Sequence, residues 1–387
     1  MSVVVFYPAI LFAKEKNMPT YFKTAETYVA GSMTLPQKHY TSQEVFALEM
    51  NRIYKNGWVC IGHHSRIAGA GEYFLADVLG ESLIILRDKQ NQVRAFYNVC
   101  RHRGTRICEE SEGRFSGSIQ CSYHAWTYGL DGILIGAPFM KELDGFRWED
   151  FPLNPVRLHL WEGFIFVSLS QTPEPFAQAY APMLSRLERW NVGGLRVHTR
   201  HVYDAATNWK YVFQNFNECY HCPTIHPMLN KFTNYTSAEN DLVEGPFLGG
   251  FMNIIGGESM TMTGRMCALP LGDLSAGIEK RGFYYTLLPN LLLNIHPDYL
   301  MFHMLFPTAP GRTTIVSEWL FNADAFDKPD FRPQEAVDFW HITNLQDWHV
   351  CELAQLGVTS QAYTPGWYSP RESLLAAFDR EYLRIME

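Results

Sequence analysis

Ten residues, Asn217 to His226 (NECYHCPTIH), carry a carboxylate, two thiols and two imidazoles, more donor atoms than packing requires. They could serve a zinc site built on Cys219 and Cys222, an iron site built on His221 and His226, or a piece of packed helix. On a helix, Asn215, Glu218 and His221 fall at i, i+3 and i+6 and share a face. Cys219 and Cys222 share another face, turned from the first by about 100°. Thiols and the Glu-His pair therefore do not converge easily on one ion. His226 follows His221 by five residues, with Pro223 between them and Pro227 after, so the helix is expected to distort or end and let both imidazoles reach one metal. The rival pair, Cys222 with His226 at i+4, would suit zinc. Against it, zinc sites draw on separated ligand pairs, and a thiolate beside an oxygen-activating iron is oxidised. Cys219 and Cys222 are expected to be packing residues. Two imidazoles and a carboxylate on one face, with open positions left, bind ferrous iron that activates oxygen. The carboxylate must come from elsewhere in the chain.

A second donor set lies upstream, in CRHRGTRICEESEGRFSGSIQCSYHAWTYGLDG. Cys100-x-His102 is followed, after eighteen residues, by Cys121-x2-His124. Four such ligands could surround one tetrahedral zinc. They could equally hold a 2Fe-2S cluster of the Rieske type, thiolates on one iron and imidazoles on the other. The order of the ligands favours the cluster. A zinc finger groups its cysteines before its histidines, whereas here each hairpin loop supplies one of each, with Gly104 and Gly129 expected to make the tight turns. Imidazole ligation raises such a cluster from about -400 mV to between about -150 and +300 mV, which suits a relay. A relay needs a destination, and the Glu218 to His226 stretch is the natural one.

These strings, with NLQDWHVCELAQLG far downstream, resemble the Rieske non-haem iron ring-hydroxylating oxygenase family, alpha subunit. The resemblance runs from about residue 40 to the end. It implies that Cys100, His102, Cys121 and His124 hold the 2Fe-2S cluster. It also implies that His221, His226 and Asp347 hold a mononuclear Fe(II). Without it, Asp347 would pass as an exposed or capping residue beside Leu345, Val350 and Leu353. Glu218 matches the carboxylate that bridges a Rieske histidine of one subunit to an iron ligand of the next, so a homotrimer and a route through His124, Glu218 and His221 are implied. Many members carry the shorter Asp there. The segments NVCRHRG, CSYHAWTYGLDGILIGAP, NECYHCPTIHP and LLPNLLLNIHPDYLMFHMLFP are most similar to the branch acting on quaternary ammonium compounds such as glycine betaine and proline betaine. That branch implies N-demethylation with formaldehyde release, O2 as co-substrate, and electrons from NAD(P)H through a separate flavin and iron-sulfur reductase. The implied catalytic fold is helix-grip, START-like. An arene hydroxylase with the same machinery is the first alternative; a Rieske electron carrier fused to a ligand-binding domain, without catalytic iron, is the second. A permanently cationic substrate needs aromatic walls, and Tyr203, Phe213, Phe216, Tyr284, Tyr285, Tyr299 and Phe302 lie in the catalytic half, about one in three of them expected to reach the pocket.

The elements that must position these residues are legible in texture. From Trp58 to about Ser170, short apolar runs such as SLIILRD and GFIFVSLS, broken by Gly, Asp and Asn, read as an antiparallel β module. Beyond SQTPEPF, APMLSRLERW reads as helix, GFYYTLLPNLLLNIHPDYLMFHMLFP and TTIVSEWLF as strands, and PQEAVDFWHITNLQDWHVCELAQLGV as a long closing helix. The class is α+β: an all-β Rieske domain at 55–170 and a catalytic domain at 171–387 with an antiparallel sheet flanked by helices. Residues 1–54 form an extension plus helices packing on the catalytic domain, and about 20 to 54 read as helical, with Phe46, Met50 and Ile53 in phase.

With 387 residues, 47% apolar and 19% charged, the chain is globular with ample core. A net charge of -8 argues against nucleic acid as a partner. No run approaches the roughly 20 apolar residues of a membrane span. The apolar start lacks a basic region before Val3 to Ala13, with Lys14 and Lys16 following it, so a secretory signal is not expected and the cytoplasm is the default. For the same reason the eight cysteines are not expected to form a disulfide framework. No G-x-G-x-x-G lies between a strand and a helix, so this chain is not expected to bind a dinucleotide.

Overall fold

The computed structural model describes residues 19–272 and 280–387, so the apolar stretch Val3 to Ala13 lies outside the described residues. The β module consists of antiparallel sheets. One orders strands Val93–Tyr97, Glu81–Arg87, Glu72–Val78 and Glu112–Arg114; a second orders Ser118–Gln120, Thr127–Gly129 and Leu134–Gly136; a third orders Arg157–Trp161, Phe164–Ser168 and Val59–His63. Ile84, Leu86, Phe96, Ile119, Trp126, Tyr128 and Leu134 share one core that locks the second sheet onto the first. The donor-bearing loops leave from this rigid centre. Gly104 adopts φ +74°, the left-handed region that only glycine enters cheaply. Gly129 does not make the second turn; it ends a strand, and Gly132 at φ +85° turns the chain instead.

The second half is built on an eight-stranded antiparallel sheet. Its order is Phe22–Lys23, Glu239–Leu242, Phe247–Asn253, Arg281–Leu287, Leu291–Ile295, Leu300–Ala309, Arg312–Asn322 and Leu195–Ala205. The inner strands are buried on both faces, so they read as nearly continuous apolar runs. Alternation still divides them. Phe283, Tyr285, Leu291, Leu293, Phe302 and Met304 pack on one side against Phe164, Phe166, Phe176 and Tyr180. Tyr284, Asn294 and His303 point the other way, toward the helices. A paired amide ties the halves together: Asn290 Nδ2 donates to the Cys60 carbonyl at 2.8 Å and Cys60 N donates to Asn290 Oδ1 at 2.9 Å.

The closing helix, Gln334–Val358, lies on the second face, and this grip of an antiparallel sheet on a long helix is the helix-grip architecture. Its buried residues Val337, Trp340, Asn344, Trp348, Cys351, Gln355 and Val358 recur at three- and four-residue spacing. Asp347 lies on the edge of that stripe, three residues after Asn344 and four before Cys351. The apolar face expected around Leu345, Val350 and Leu353 is the wrong one, because Leu345 and Leu353 are about half exposed on the outer side. None of the helices among the described residues is long and apolar enough to cross a membrane.

Two further expectations are corrected. The stretch from 20 to 54 is not helical throughout: Phe22–Lys23 is an edge strand, Thr24–Thr27 a single tight turn, and helix occupies Lys38–Thr41 and Gln43–Glu49, running on to Lys55 as a wider π turn. Phe46 and Ile53 are buried as their phase implies. Ala181 to Leu187 is a chain of turns and only Glu188–Trp190 is helical, as a short 3-10 turn, although Met183, Leu187 and Trp190 are buried. Helical spacing of apolar residues is satisfied there by successive turns over a core edge.

Candidate active site

The helix Trp209–Phe216 starts at Asn208, whose side chain caps it by accepting from Lys210 N at 3.0 Å. It stops at Asn217. A four-residue helix, Cys222–Ile225, follows with Pro223 in its first turn, where a missing N–H costs nothing. The stretch from Trp209 to Ile225 is therefore two helices with a break at 217–221, and the single helical face expected for Asn215, Glu218 and His221 does not exist. Glu218 and His221 meet for another reason. The Glu218 carboxylate accepts from the backbone N–H of Tyr220 and of His221, which folds its side chain back onto the His221 ring, where it contacts Nδ1.

The break also turns Cys219 and Cys222 to the same side, with Cα atoms 4.9 Å apart, and they form a disulfide. They are buried and contribute to the core as expected, but they are bonded to each other. The other six cysteines are free and buried.

His221 and His226 flank the short helix as its caps, and Asp347 reaches them from the closing helix. His226 Nε2 stands 2.9 Å from Asp347 Oδ1, His221 Nε2 stands 3.2 Å from the same oxygen, and the two Nε2 atoms are 3.1 Å apart. Neighbouring ligands on an octahedral ion with bonds of about 2.1 Å stand about 3.0 Å apart, against about 3.4 Å on a tetrahedral one. The triangle fits three ligands on one octahedral face, the geometry of a 2-His-1-carboxylate iron site. Cys222 also lies within ligand reach of His221 and His226, but its sulfur is committed to Cys219.

Each imidazole is oriented from behind. His226 Nδ1 donates to Gln346 Oε1 at 2.8 Å, which leaves its Nε2 lone pair facing Asp347 and His221. Burial disfavours charge on His221, but the Asp347 and Glu218 carboxylates on its two nitrogens outweigh that and raise its pKa to about 10. Burial pushes Asp347 up, and the two histidines more than reverse it, holding the carboxyl below its usual range. Gln346 has no sequence signature beyond standing next to Asp347.

The second donor set is assembled at the tips of the β module. Cys100 and Cys121 are buried free thiols, and the rings of His102 and His124 lie 4.6 Å apart, centroid to centroid. His102 Nδ1 is buried with no hydrogen-bond partner, which a bound metal would supply. Its pKa is lowered, by burial first and then by His124 and Arg103, so the ring is in the neutral, ligating form. Trp126 stacks on His102 at 4.8 Å and 8°. Tyr128 accepts from Arg101 N at 3.0 Å and has its hydroxyl 3.4 Å from Cys100 Sγ, placed to donate to that sulfur. Both sets fit the groups that their donor chemistry implies, iron in the catalytic half and a 2Fe-2S cluster in the β module.

The pocket above the triangle is lined by Phe216, Tyr284, His303, Trp340 and Trp348 among other residues. Of the seven aromatics weighed from the sequence, Phe216 and Tyr284 reach it. The other five are absent from its lining.

A Rieske domain joined to a helix-grip domain with a facial donor triangle defines a Rieske non-haem iron oxygenase. The Rieske 2Fe-2S domain family matches residues 57–147, and the catalytic domain of the ring hydroxylating alpha subunit family matches residues 192–387, so the chain belongs to that family. It is 32% identical over 373 residues to the glycine betaine monooxygenase oxygenase subunit of Chromohalobacter salexigens, covering 88% of this chain and 82% of that one. It is 33% identical over 220 residues to the carnitine monooxygenase oxygenase subunit of Escherichia coli strain K12, covering 54% and 58%. The quaternary ammonium Rieske monooxygenase CntA in complex with gamma-butyrobetaine shares its fold with a TM-score of 0.74 at 25% identity, over 94% of this chain and 98% of that one. Naphthalene 1,2-dioxygenase from Rhodococcus shares the fold at 22% identity, with a TM-score of 0.76 over 91% and 94%.

Proposed function

We propose that the chain is the oxygenase component of a monooxygenase that hydroxylates an N-methyl group of a betaine-like quaternary ammonium compound. The observation that carries this is one pocket in which a facial donor triangle faces aromatic walls, in a chain similar over most of its length to a glycine betaine monooxygenase subunit. Phe216, Tyr284 and Trp340 line the pocket, and each ring face that meets a cationic N-methyl head would be worth roughly 0.5 to 2 kcal/mol. His221, His226 and Asp347 would hold the mononuclear iron, while Cys100 with Cys121, and His102 with His124, would hold the two irons of the cluster. When bound, these groups would relay electrons and activate O2 for insertion at the methyl carbon. The hydroxylated product, a hemiaminal, collapses to formaldehyde and the demethylated amine. Gln346 keeps the His226 proton on Nδ1, and Glu218 holds a proton on His221 Nδ1, so Nε2 is the ligating atom of each ring once a metal has expelled the second His221 proton. Glu218 would also link His221 to His124 of the partner subunit in a homotrimer.

A separate NAD(P)H-dependent reductase would feed the cluster, and we place the system in the cytoplasm, where that reductant is made. In such a reducing compartment Cys219 and Cys222 would open to thiols. The test is O2 uptake with formaldehyde detection, using a surrogate reductase and a panel of betaines and arenes. Formaldehyde and a demethylated amine in equal amounts are expected. A cis-diol or phenol without formaldehyde would transfer the chain to the arene-hydroxylating branch.

A further inference from the structure

Three buried side chains on the pocket wall have N–H groups that bond nothing. Asn294 is 1% exposed and leaves both amide atoms unpartnered; Asn344 is 2% exposed and leaves Nδ2 unpartnered; Trp348 is 6% exposed and leaves Nε1 unpartnered. A buried donor without a partner costs free energy, and native proteins rarely keep one unless a ligand or water completes it. Three on one pocket point to a ligand with several acceptor atoms.

Their placement follows from the fold. Asn294 sits opposite Tyr284 in the sheet, on the face that looks into the pocket. Asn344 and Trp348 are four residues apart on the closing helix and project together. Asp347, from the donor triangle, is one turn from Asn344, a rise of roughly 4.5 Å. The donors and the triangle are thus parts of one wall.

A quaternary ammonium head can neither donate nor accept a hydrogen bond, so these groups do not serve it. The other end of the substrate is what they meet. A hydroxyl could also donate to the free Asn294 and Asn344 amide oxygens, whereas a carboxylate, which only accepts, can take up all three N–H groups. Arg371, the one Arg or Lys among the lining residues, is exposed at the surface, so an anion deep in the pocket would be met by neutral donors.

Resting on the quaternary ammonium reading above, we infer that Asn294, Asn344 and Trp348 form a carboxylate subsite. It selects short zwitterions, in which the carboxylate lies a few bonds from the N-methyl nitrogen, over cations such as choline that lack one. Each buried, unpartnered donor gains a charge-assisted hydrogen bond when substrate enters.

The test is isothermal titration of the anaerobic, iron-loaded enzyme with glycine betaine and with choline, paired with KM and kcat for each. Wild type should bind glycine betaine more tightly. Asn294→Leu and Asn344→Ala should each weaken glycine betaine by about 10- to 100-fold and choline by less than about 3-fold, with the loss in KM more than in kcat. Trp348→Phe keeps an aromatic ring beside His303 while removing the N–H along with the indole's second ring, so it gives the same readout where an asparagine variant does not fold. Asn344→Asp should reverse the preference in favour of choline. Equal weakening of both ligands in these variants, or none, would overturn the subsite while leaving the quaternary ammonium reading intact. A wild-type enzyme that binds neither ligand would overturn that reading and the subsite with it.

Discussion

The helix that leads into the metal-donor segment is anchored by a buried ion pair, and removing one partner should be costly. Lys210 and Glu49 are both fully buried, with Nζ 2.5 Å from Oε1. Glu49 also accepts from Tyr382 Oη at 2.7 Å and from Trp209 Nε1 at 2.9 Å, so its charge is fully occupied. Burial, opposed by Glu49, lowers the Lys210 pKa to about 8. In Glu49→Gln the ammonium loses its paired charge and keeps the rings of Tyr40, Trp209 and Tyr382, a neutral amide oxygen and the more distant Asp379. Breaking such a pair from one side costs about 3 to 5 kcal/mol. Unfolding entropy of about 2.1 cal/mol/K per residue gives roughly 0.8 kcal/mol/K for a chain of 387 residues melting as one unit. The melting temperature should therefore fall by roughly 4 to 6 °C at neutral pH, followed by far-ultraviolet circular dichroism with equal metal loading. Replacing both partners by methionine should recover most of the loss, because the cost lies in the stranded charge. A Glu49→Gln variant melting within about 1 °C of wild type would refute this reasoning, as would a double variant less stable than the single one.

Three further outcomes are expected. Glu218→Gln should retain the cluster and the mononuclear iron but slow electron arrival at the second site, read as a rate in single-turnover stopped flow; an unchanged rate would remove the bridge. Without metal, His221 is charged at pH 7, and because its folded pKa of about 10 lies above the ordinary 6.5, the stability this gives is full below about pH 6.5 and lost as pH rises through 10. A metal must expel that proton, so Co(II) affinity of the apo enzyme should rise about tenfold per pH unit between 7 and 9, and a flat profile would contradict the pairing. Air should close the Cys219–Cys222 pair that a reducing compartment holds open, so alkylation of denatured, unreduced enzyme purified aerobically should label six cysteines, and eight after reduction; eight before reduction would return Cys219 and Cys222 to simple packing residues.

Much of the site was legible because ligand chemistry depends on residue type and spacing. The Cys100-x-His102 and Cys121-x2-His124 pairs announce a cluster in any fold that brings two hairpin tips together. His221 and His226 were reached by a sound expectation, that proline would disturb the helix, although Pro223 turns out to start a new turn. The helical-face argument for Glu218 named the right pair through the wrong geometry, since a carboxylate capping its own turn leaves no periodic trace. Asp347 was not legible from pattern: it lies at the edge of its helix's buried stripe, and the exposed leucines nearby misled. Gln346, Asn294 and Asn344 act through packing across sheet and helix, and such contacts have no signature along the chain. The edge strand Phe22–Lys23 is only two residues long and owes its state to the neighbouring strand Glu239–Leu242.

The mononuclear site is tested most directly by counting iron in wild type and in Asp347→Ala beside the visible absorption of the cluster. Three irons per chain should fall to two, with the cluster spectrum unchanged and formaldehyde production from glycine betaine abolished. An Asp347→Ala enzyme that keeps three irons and turns over at the wild-type rate would contradict the assignment of His221, His226 and Asp347 as the catalytic centre.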